Sequence, residues 1–467
     1  MKGDFSRNTF DPAKHFSRVL MQQGRVQLDA DWNEQAGITL HYLRSLNVDL
    51  VGPHWGPRGA FKVTGAPAGD VFAIEPGHYY VNGVLCENAT QLGYSKQAGF
   101  PFPDSIPATP PPNGTFLAYL DVWERHILWI DDASIREVAL GGPDTATRSQ
   151  VVWQAKLFDV SNAALTSVAA VEKFLLSEPH ISRRIVPTLR ARAKRDAAQT
   201  DLCAIPPESR YRGAENQLYR VEIHNVTRNS DGVITTATFK WSRDNGSVIF
   251  PVINVKPSVT DITVTLAHLG RDDISSLTEG DIVELVDDDY ALQAVSEPLC
   301  QVKKIDRMEL TVTLECTGTS KISIKRKHIA LRRWDHKGEA KKNDGALEII
   351  EANATPTKDL WLAIEDGIDI QFGDGGDYHT GDYWLIPART ATGDVEWPVE
   401  RDSDDNPKRD ASGNVNPLPL NVNPLPLEPA GVKHYYTPLA IITVAATGTA
   451  VTLDCRREIN QLWTPAS

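Results

Sequence analysis

"VFAIEPGHYYVNGVLCEN", residues 71 to 88, sets β-branched and aromatic residues in short runs around Asn82-Gly83. Both central positions of a type I′ turn need a positive φ, and Asn-Gly meets that demand at the least steric cost. The stretch predicts a β-hairpin. The same texture continues in "TFLAYLDVWERHILWI" (115–130) and returns after Leu218 in "LYRVEIHNV", "VITTATFKWSRDNGSVIFPVINV", "DITVTLAHL", "GDIVELVDDDY", "CQVKKIDRMELTVTLE" and "KISIKRKHIALRRW". So many short strands suit a small barrel or sandwich. The last third repeats the style in "GALEIIEA", "LWLAIEDGIDIQF", "GDYWLIPART" and "PLAIITVAATGTAVTLDCR". The expected fold is mainly β with a minor helical part, built from several small β-sandwich or barrel domains.

Two stretches break the β texture. Over residues 31–47, Trp32, Ala36, Leu40, Leu43 and Leu46 recur at spacings of 4, 4, 3 and 3, which is one face of an amphipathic helix. Asp31 and Glu34 read as its N-terminal capping pair, and Gly52-Pro53 lies just past its end. Before it, Phe5, Phe10, Phe16 and Leu20 follow no regular period, as in an extended arm that docks on its own chain or on a neighbour. Residues 161–200 are rich in helix formers, broken by Pro179 and restarted at Pro187, and predict a helical insertion. Residues 100–114 and 400–430 are Pro-rich excursions, the second carrying "NVNPLPL" twice in tandem. The expected domains are 1–60 (arm and helix), 61–160 (β), 161–215 (helical insertion), 216–335 (small barrel or sandwich) and 336–467 (C-terminal β with the Pro-rich loop).

At 467 residues the chain is long enough for about two to four cores. The apolar fraction of 41% and charged fraction of 23% are those of a globular chain, and no run approaches the roughly 18 apolar residues of a membrane span. Neither membrane insertion nor a secretory signal is expected, so synthesis and assembly are placed in the cytoplasm. Five cysteines, Cys86, Cys203, Cys300, Cys316 and Cys455, contain no C-x-x-C pair and read as reduced thiols. A net charge of −13 repels nucleic acid over most of the surface.

Candidate chemistry is thin. Asp366, Asp369, Asp374, Asp377, His379 and Asp382 could supply metal ligands or catalytic carboxylates, yet their spacing matches no calcium loop and Asp-Gly pairs are what tight turns require. "VDDDY" (286–290) reads as a solvated strand end, since neighbouring strand residues point to opposite faces. No H-E-x-x-H, G-x-S-x-G, Walker loop or G-x-G-x-x-G occurs, so no catalytic residue, metal or cofactor is assigned. Residues 321–342 hold nine Lys or Arg around Trp334 and suggest a surface that meets an acidic copy of the same chain or another partner protein, with a plain solvated face and a nucleic-acid patch as the alternatives. "GDYWLIPARTATGDVEWP" (381–398) reads as strand and turn, with Tyr383, Leu385 and Pro387 on one face, Trp384 and Ile386 on the other, and Arg389 tying down a carboxylate or carbonyl.

Four stretches carry a resemblance: "MKGDFSRNTFDPAKHFSRVLMQQGRVQLDADWNEQ", "YLDVWERHI…REVALGGPDTATRSQVVWQ", "FKWSRDNGSV" and "GDYWLIPARTATGDVEWP". They are similar to a bacterial family of unknown function whose members are encoded beside the baseplate and tail proteins of phage-tail-like contractile particles. The resemblance implies a structural component placed at the baseplate, around the spike or at a fibre attachment, released outside the cell with the particle. Its partners would be other particle subunits and copies of itself. The residues expected to carry assembly are Phe5, Arg7 and Phe10 in the arm and Lys325, Arg326, Arg332, Arg333 and Trp334 in the basic segment. A rival expectation is a carbohydrate-binding or polysaccharide-degrading surface module using tryptophan faces as sugar platforms. A weaker one is metal-stabilised adhesion through the Asp-Gly loops.

Overall fold

The computed structural model describes residues 1–65, 70–102, 113–140, 144–179, 181, 183, 185–194, 210–229, 233–257, 261–272, 274–316, 327–337, 343–352, 360–401, 424–445 and 448–459. The chain is mainly β, and it divides into two units that interleave along the sequence. One comprises Met1–Arg7, Ile185–Tyr290 and Ala294–Gly431, the other Asn8–Arg184, Ala291–Gln293 and Val432–Ser467.

The unit containing Asn8–Arg184 is organised by one long antiparallel pair. Gly114–Ile127 and Arg148–Asp159 run in unbroken register from Phe116↔Asp159 to Ile127↔Arg148, with Tyr435–Ala445 and Gly448–Asp454 extending the sheet. Because strand side chains alternate, Phe116, Ala118, Leu120 and Val122 enter one core, while Leu117 and Tyr119 enter another. The second core is closed by α2 (Val168–Ser177), which lays Val171 and Leu175 against it and is capped by Ser167 Oγ accepting from the Ala170 amide. The hairpin foreseen at Asn82-Gly83 is present. Gly77–Val81 and Val84–Asn88 pair through Val81↔Val84, with φ of 46° at Asn82 and 75° at Gly83.

The unit containing Ile185–Tyr290 holds a closed six-stranded barrel, in neighbour order Ile249–Pro257, Asp261–Leu266, Thr311–Cys316, Cys300–Asp306, Ile282–Val286 and Ala330–Trp334. Its interior is mostly aliphatic: Val264, Leu266, Val283, Leu285, Val302, Val312, Leu314 and Leu331 alternate inward, joined by the buried ring of Phe250. A five-stranded sheet stands in the same unit, ordered Leu347–Glu348, Ile234–Ser242, Gln217–Arg228, Tyr383–Arg389 and Asp394–Val395. Closing a barrel removes its open edges, which suits strands this short.

Three expectations change. Leu189–Ala193 is a strand paired with Ile368–Phe372 rather than the start of a helix, because Leu189, Ala191 and Ala193 alternate into the core; residues 195–209 lie outside the described residues. "VDDDY" leaves the barrel strand at Val286 and turns into a short helix, Asp288–Leu292. Cys300 and Cys316 form a disulfide across directly opposed strand positions, with Cα atoms 4.3 Å apart, so these two are not reduced thiols. Cys86 and Cys455 are buried free thiols that burial pushes up to about 12, and Cys203 lies outside the described residues.

Candidate assembly interface

The predicted helix is present and longer than expected. α1 spans Asp29–Val51, Asp31 Oδ2 accepts from the Leu28 amide at 3.3 Å, and Gly52 ends the helix with φ 123°. Its apolar stripe faces away from the rest of its unit. Ala30 and Ile38 are its only buried residues, and contacts with the unit come from Gly37, His41, Arg44 and Asn47. Gly37 allows the Phe10 ring to lie against the helix, since a Cβ there would stand 2.9 Å from Phe10 Cγ. The tip of the Asn82-Gly83 turn presses on Arg44 so closely that a Cβ on Gly83 would meet Arg44 Cα at 2.6 Å. Arg44 bonds Glu124 at 3.2 Å, and Asn47 Oδ1 accepts from Trp55 Nε1 at 2.9 Å. With 3.6 residues per turn, Trp32, Leu43, Leu46 and Leu50 fall on the opposite side. Trp32 is 70% exposed and Leu50 75%.

The arm before α1 is tied to the helix and also exposes apolar side chains. Val19 donates its amide to Gln35 Oε1 at 2.8 Å and Thr9 bonds Glu34 at 2.5 Å, while Phe16, Leu20, Met21, Val26 and Leu28 are exposed. Among the described residues, 12 of the 25 exposed large apolar side chains lie between Phe16 and Val51. Exposed apolar residues scattered singly are ordinary, but this concentration is what interaction faces carry.

Residues 1–7 behave differently, as a plug set into the unit that holds the barrel. The Met1 nitrogen donates to the Tyr383 hydroxyl, and Asn245 Nδ2 donates to the carbonyls of Met1 and Gly3 at 3.1 and 2.9 Å. Lys2 Nζ lies 2.9 Å from Glu222 Oε1 and approaches the Tyr290 and Trp334 rings. Around it, Lys240 bonds Glu284 at 2.7 Å, Arg220 bonds Glu222 at 2.5 Å and stacks on Tyr383, and Trp334 Nε1 donates to Glu284 at 3.0 Å. Lys2, Arg220, Lys240 and Arg332 thus surround two carboxylates. Burial, aided by its cationic neighbours and opposed by Glu222, pushes Lys2 down to about 7. Burial alone would raise Glu222, but Lys2, Arg220 and Lys240 outweigh it and hold that carboxyl well below its usual range. Burial and Lys240 push His336 down to about 3, so it is a neutral ring. A carboxylate already held by several cations is poorly suited to act as a base, and the cluster instead fixes the plug.

The expected assembly residues are mostly engaged within the chain. Phe5 is half-buried, Arg7 bonds Glu396 at 3.1 Å, and Phe10 packs on α1 with its ring centroid 5.9 Å from that of His41. Lys325 and Arg326 lie outside the described residues. Arg332, Arg333 and Trp334 are buried, because the strand Ala330–Trp334 is enclosed in the barrel wall between Ile282–Val286 and Ile249–Pro257. Arg332 donates to the Gly246 carbonyl, and Arg333 to those of Ile274 and Ser276 at 2.7 and 2.8 Å. Arg333 Nε also lies 3.4 Å from Asp335 Oδ1, so buried carbonyls and a carboxylate of the same chain take the place of an acidic partner. Outside that expected set lie the outward face of α1 and the exposed apolar residues of the arm; the apolar spacing of both was legible in the sequence, and nothing local said which way either pointed.

The remaining candidates are tied down within the fold, with Asp369 inside the strand Ile368–Phe372 and not in a turn. Asp366 has φ 45°, Asp369 pairs with Arg192 at 3.6 Å, Asp377 with Arg228 at 2.6 Å, and Asp382 accepts the His379 amide at 2.9 Å. Arg389 does tie down a carboxylate, reaching Glu396 at 3.0 Å and the Ser6 carbonyl at 3.2 Å. Of the described tryptophans only Trp32 is largely exposed.

Three of the four signature stretches therefore meet in one place: the plug 1–7, "FKWSRDNG", and the Tyr383 strand. No curated protein and no solved structure matches the chain. The model of a family of unknown function, DUF6519, matches residues 1–182 and 180–421. With that match running through most of its length, the chain belongs to the DUF6519 family.

Proposed function

We propose that this protein is a structural subunit of a phage-tail-like contractile particle, acting by assembly with its neighbours rather than by catalysis. The observation that carries the assembly reading is the outward stripe of α1: Trp32, Leu40, Leu43, Leu46 and Leu50 are all exposed, as are Phe16, Leu20 and Met21 of the arm that Val19 ties to Gln35. Burying one such side chain gains about 1.5–3 kcal/mol, so covering several of them outweighs the ordering cost of a specific contact. The particle setting, at a baseplate, spike surround or fibre attachment, rests on the resemblance of the signature stretches. Outer-face polar substitutions test both together. In cells carrying Leu43→Glu with Leu46→Glu, the chain is expected at normal levels in the lysate and missing from purified particles by electron microscopy and immunoblotting. Equal incorporation of the variant, or purified particles that lack the wild-type chain, overturns the reading.

A further inference from the structure

We infer that the outward face of α1 pairs with the same face of a second copy of this chain, as an antiparallel two-helix seam; this rests on the assembly reading above and names the partner. Trp32, Ala36, Thr39, Leu43, Leu46 and Leu50 follow one another at 4, 3, 4, 3 and 4 residues, a seven-residue repeat over about 27 Å of helix. That spacing suits a helix as the occupant, because knobs and holes then stay in register along its length.

Charge points to a copy of the same chain. Of the positions flanking the seam, Asn33, Gln35, Leu40, Tyr42 and Asn47 are uncharged and only Asp49 is acidic. In a chain of net charge −13, this is a face on which two copies approach without facing rows of like charge. Volume points to the antiparallel direction. With the two-fold axis crossing the seam level with His41 along the helix, Trp32 meets Leu50, Ala36 meets Leu46 and Thr39 meets Leu43, so each smaller side chain faces a larger one. The same register sets Asp49 beside Gln35 and Asn33 beside Asn47. Parallel pairing would stack Trp32 on Trp32 and leave Ala36 opposite Ala36, overfilling one layer and underfilling the next. The contact is isologous, so it closes at two copies.

The test uses the purified full chain in analytical ultracentrifugation and oxidative cross-linking. The expected result is a concentration-dependent species of twice the chain mass. Leu43→Glu with Leu46→Glu should weaken it at least about a hundredfold while leaving the thermal melt unchanged, since both positions are exposed. Ala36→Cys chains mixed with Leu46→Cys chains should cross-link, whereas either variant alone, like the wild type, should not. A wild-type chain that stays monomeric, a dimer indifferent to the double substitution, or efficient cross-linking of Ala36→Cys alone each overturns the proposal. If the purified chain is monomeric yet the double variant is still lost from particles, self-pairing fails while the assembly reading stands.

Discussion

Lys240 Nζ stands 2.7 Å from Glu284 Oε2, and both side chains are fully buried. The pair joins the strand Ile234–Ser242 of the five-stranded sheet to the barrel strand Ile282–Val286, with Trp334 and Tyr290 alongside. A buried pair of this kind is costly to break one side at a time, because the remaining charge has no water to turn to. Lys240→Met or Glu284→Gln alone should lower stability by about 3–5 kcal/mol in urea unfolding. The double variant should recover part of that loss. Single variants that unfold together with the wild type would show that the pair does not hold the sheet to the barrel.

The plug should dock more tightly as pH rises. Lys2 titrates near its ordinary 10.5 when undocked and at about 7 when docked, so between those values the undocked segment binds more protons. Docking therefore strengthens from about pH 7 upward, by as much as about 1.4 kcal/mol per pH unit for one proton, and below pH 7 this gain is absent. A simple Lys2–Glu222 ion pair would instead weaken as Lys2 lost its charge. Hydrogen exchange of residues 2–7, corrected for intrinsic rates, should show protection rising from about pH 6.5 to 9; burial also holds the Met1 amine well below its usual range, so Lys2→Met should remove the rise above about pH 8 and leave the amine's share below it. Protection that falls over this range would reverse the assignment.

The Cys300–Cys316 disulfide closes a loop of sequence separation 16 between neighbouring barrel strands. By loop-closure entropy it contributes about 3 kcal/mol. Cys300→Ser with Cys316→Ser should lower the barrel's unfolding midpoint, and adding reductant should bring the wild type to the variant's curve without affecting the variant. Coincident curves for oxidised and reduced wild type would remove the bond's stabilising role.

What was legible in the sequence was local. Asn82-Gly83 fixes its own backbone, and the alternation through "TFLAYLDVW" sorts side chains between two cores whatever the strand pairs with. What was illegible depends on pairing at a distance. Arg332 and Arg333 look like surface charge until the barrel closes around them, and nothing in the spacing of Cys300 and Cys316 says that the two strands lie side by side. For α1, the 3.6-residue period gave the apolar stripe correctly, but a stripe has no direction. It points outward because Gly37, His41 and Arg44 carry the contacts on the other side, with Asn47 bonded to Trp55 at its flank.

Two tryptophans make the contrast measurable. Trp384 is 1% exposed, packs against Phe372, and donates its Nε1–H to the Leu427 carbonyl at 2.8 Å. Trp384→Ala leaves a cavity that neighbouring strands cannot collapse into and strips a buried carbonyl of its donor, so it should cost about 3–5 kcal/mol. Trp32 touches solvent over most of its surface, so Trp32→Ala should stay within about 0.5 kcal/mol of the wild type when the chain is dilute. At concentrations where copies associate, the order changes: Trp32→Ala removes the largest side chain of the proposed seam and should weaken association. Chemical unfolding at two protein concentrations separates these effects. A Trp32 variant as destabilised as the Trp384 variant at low concentration would mean that α1 is held to its own unit by its apolar face, contrary to the geometry.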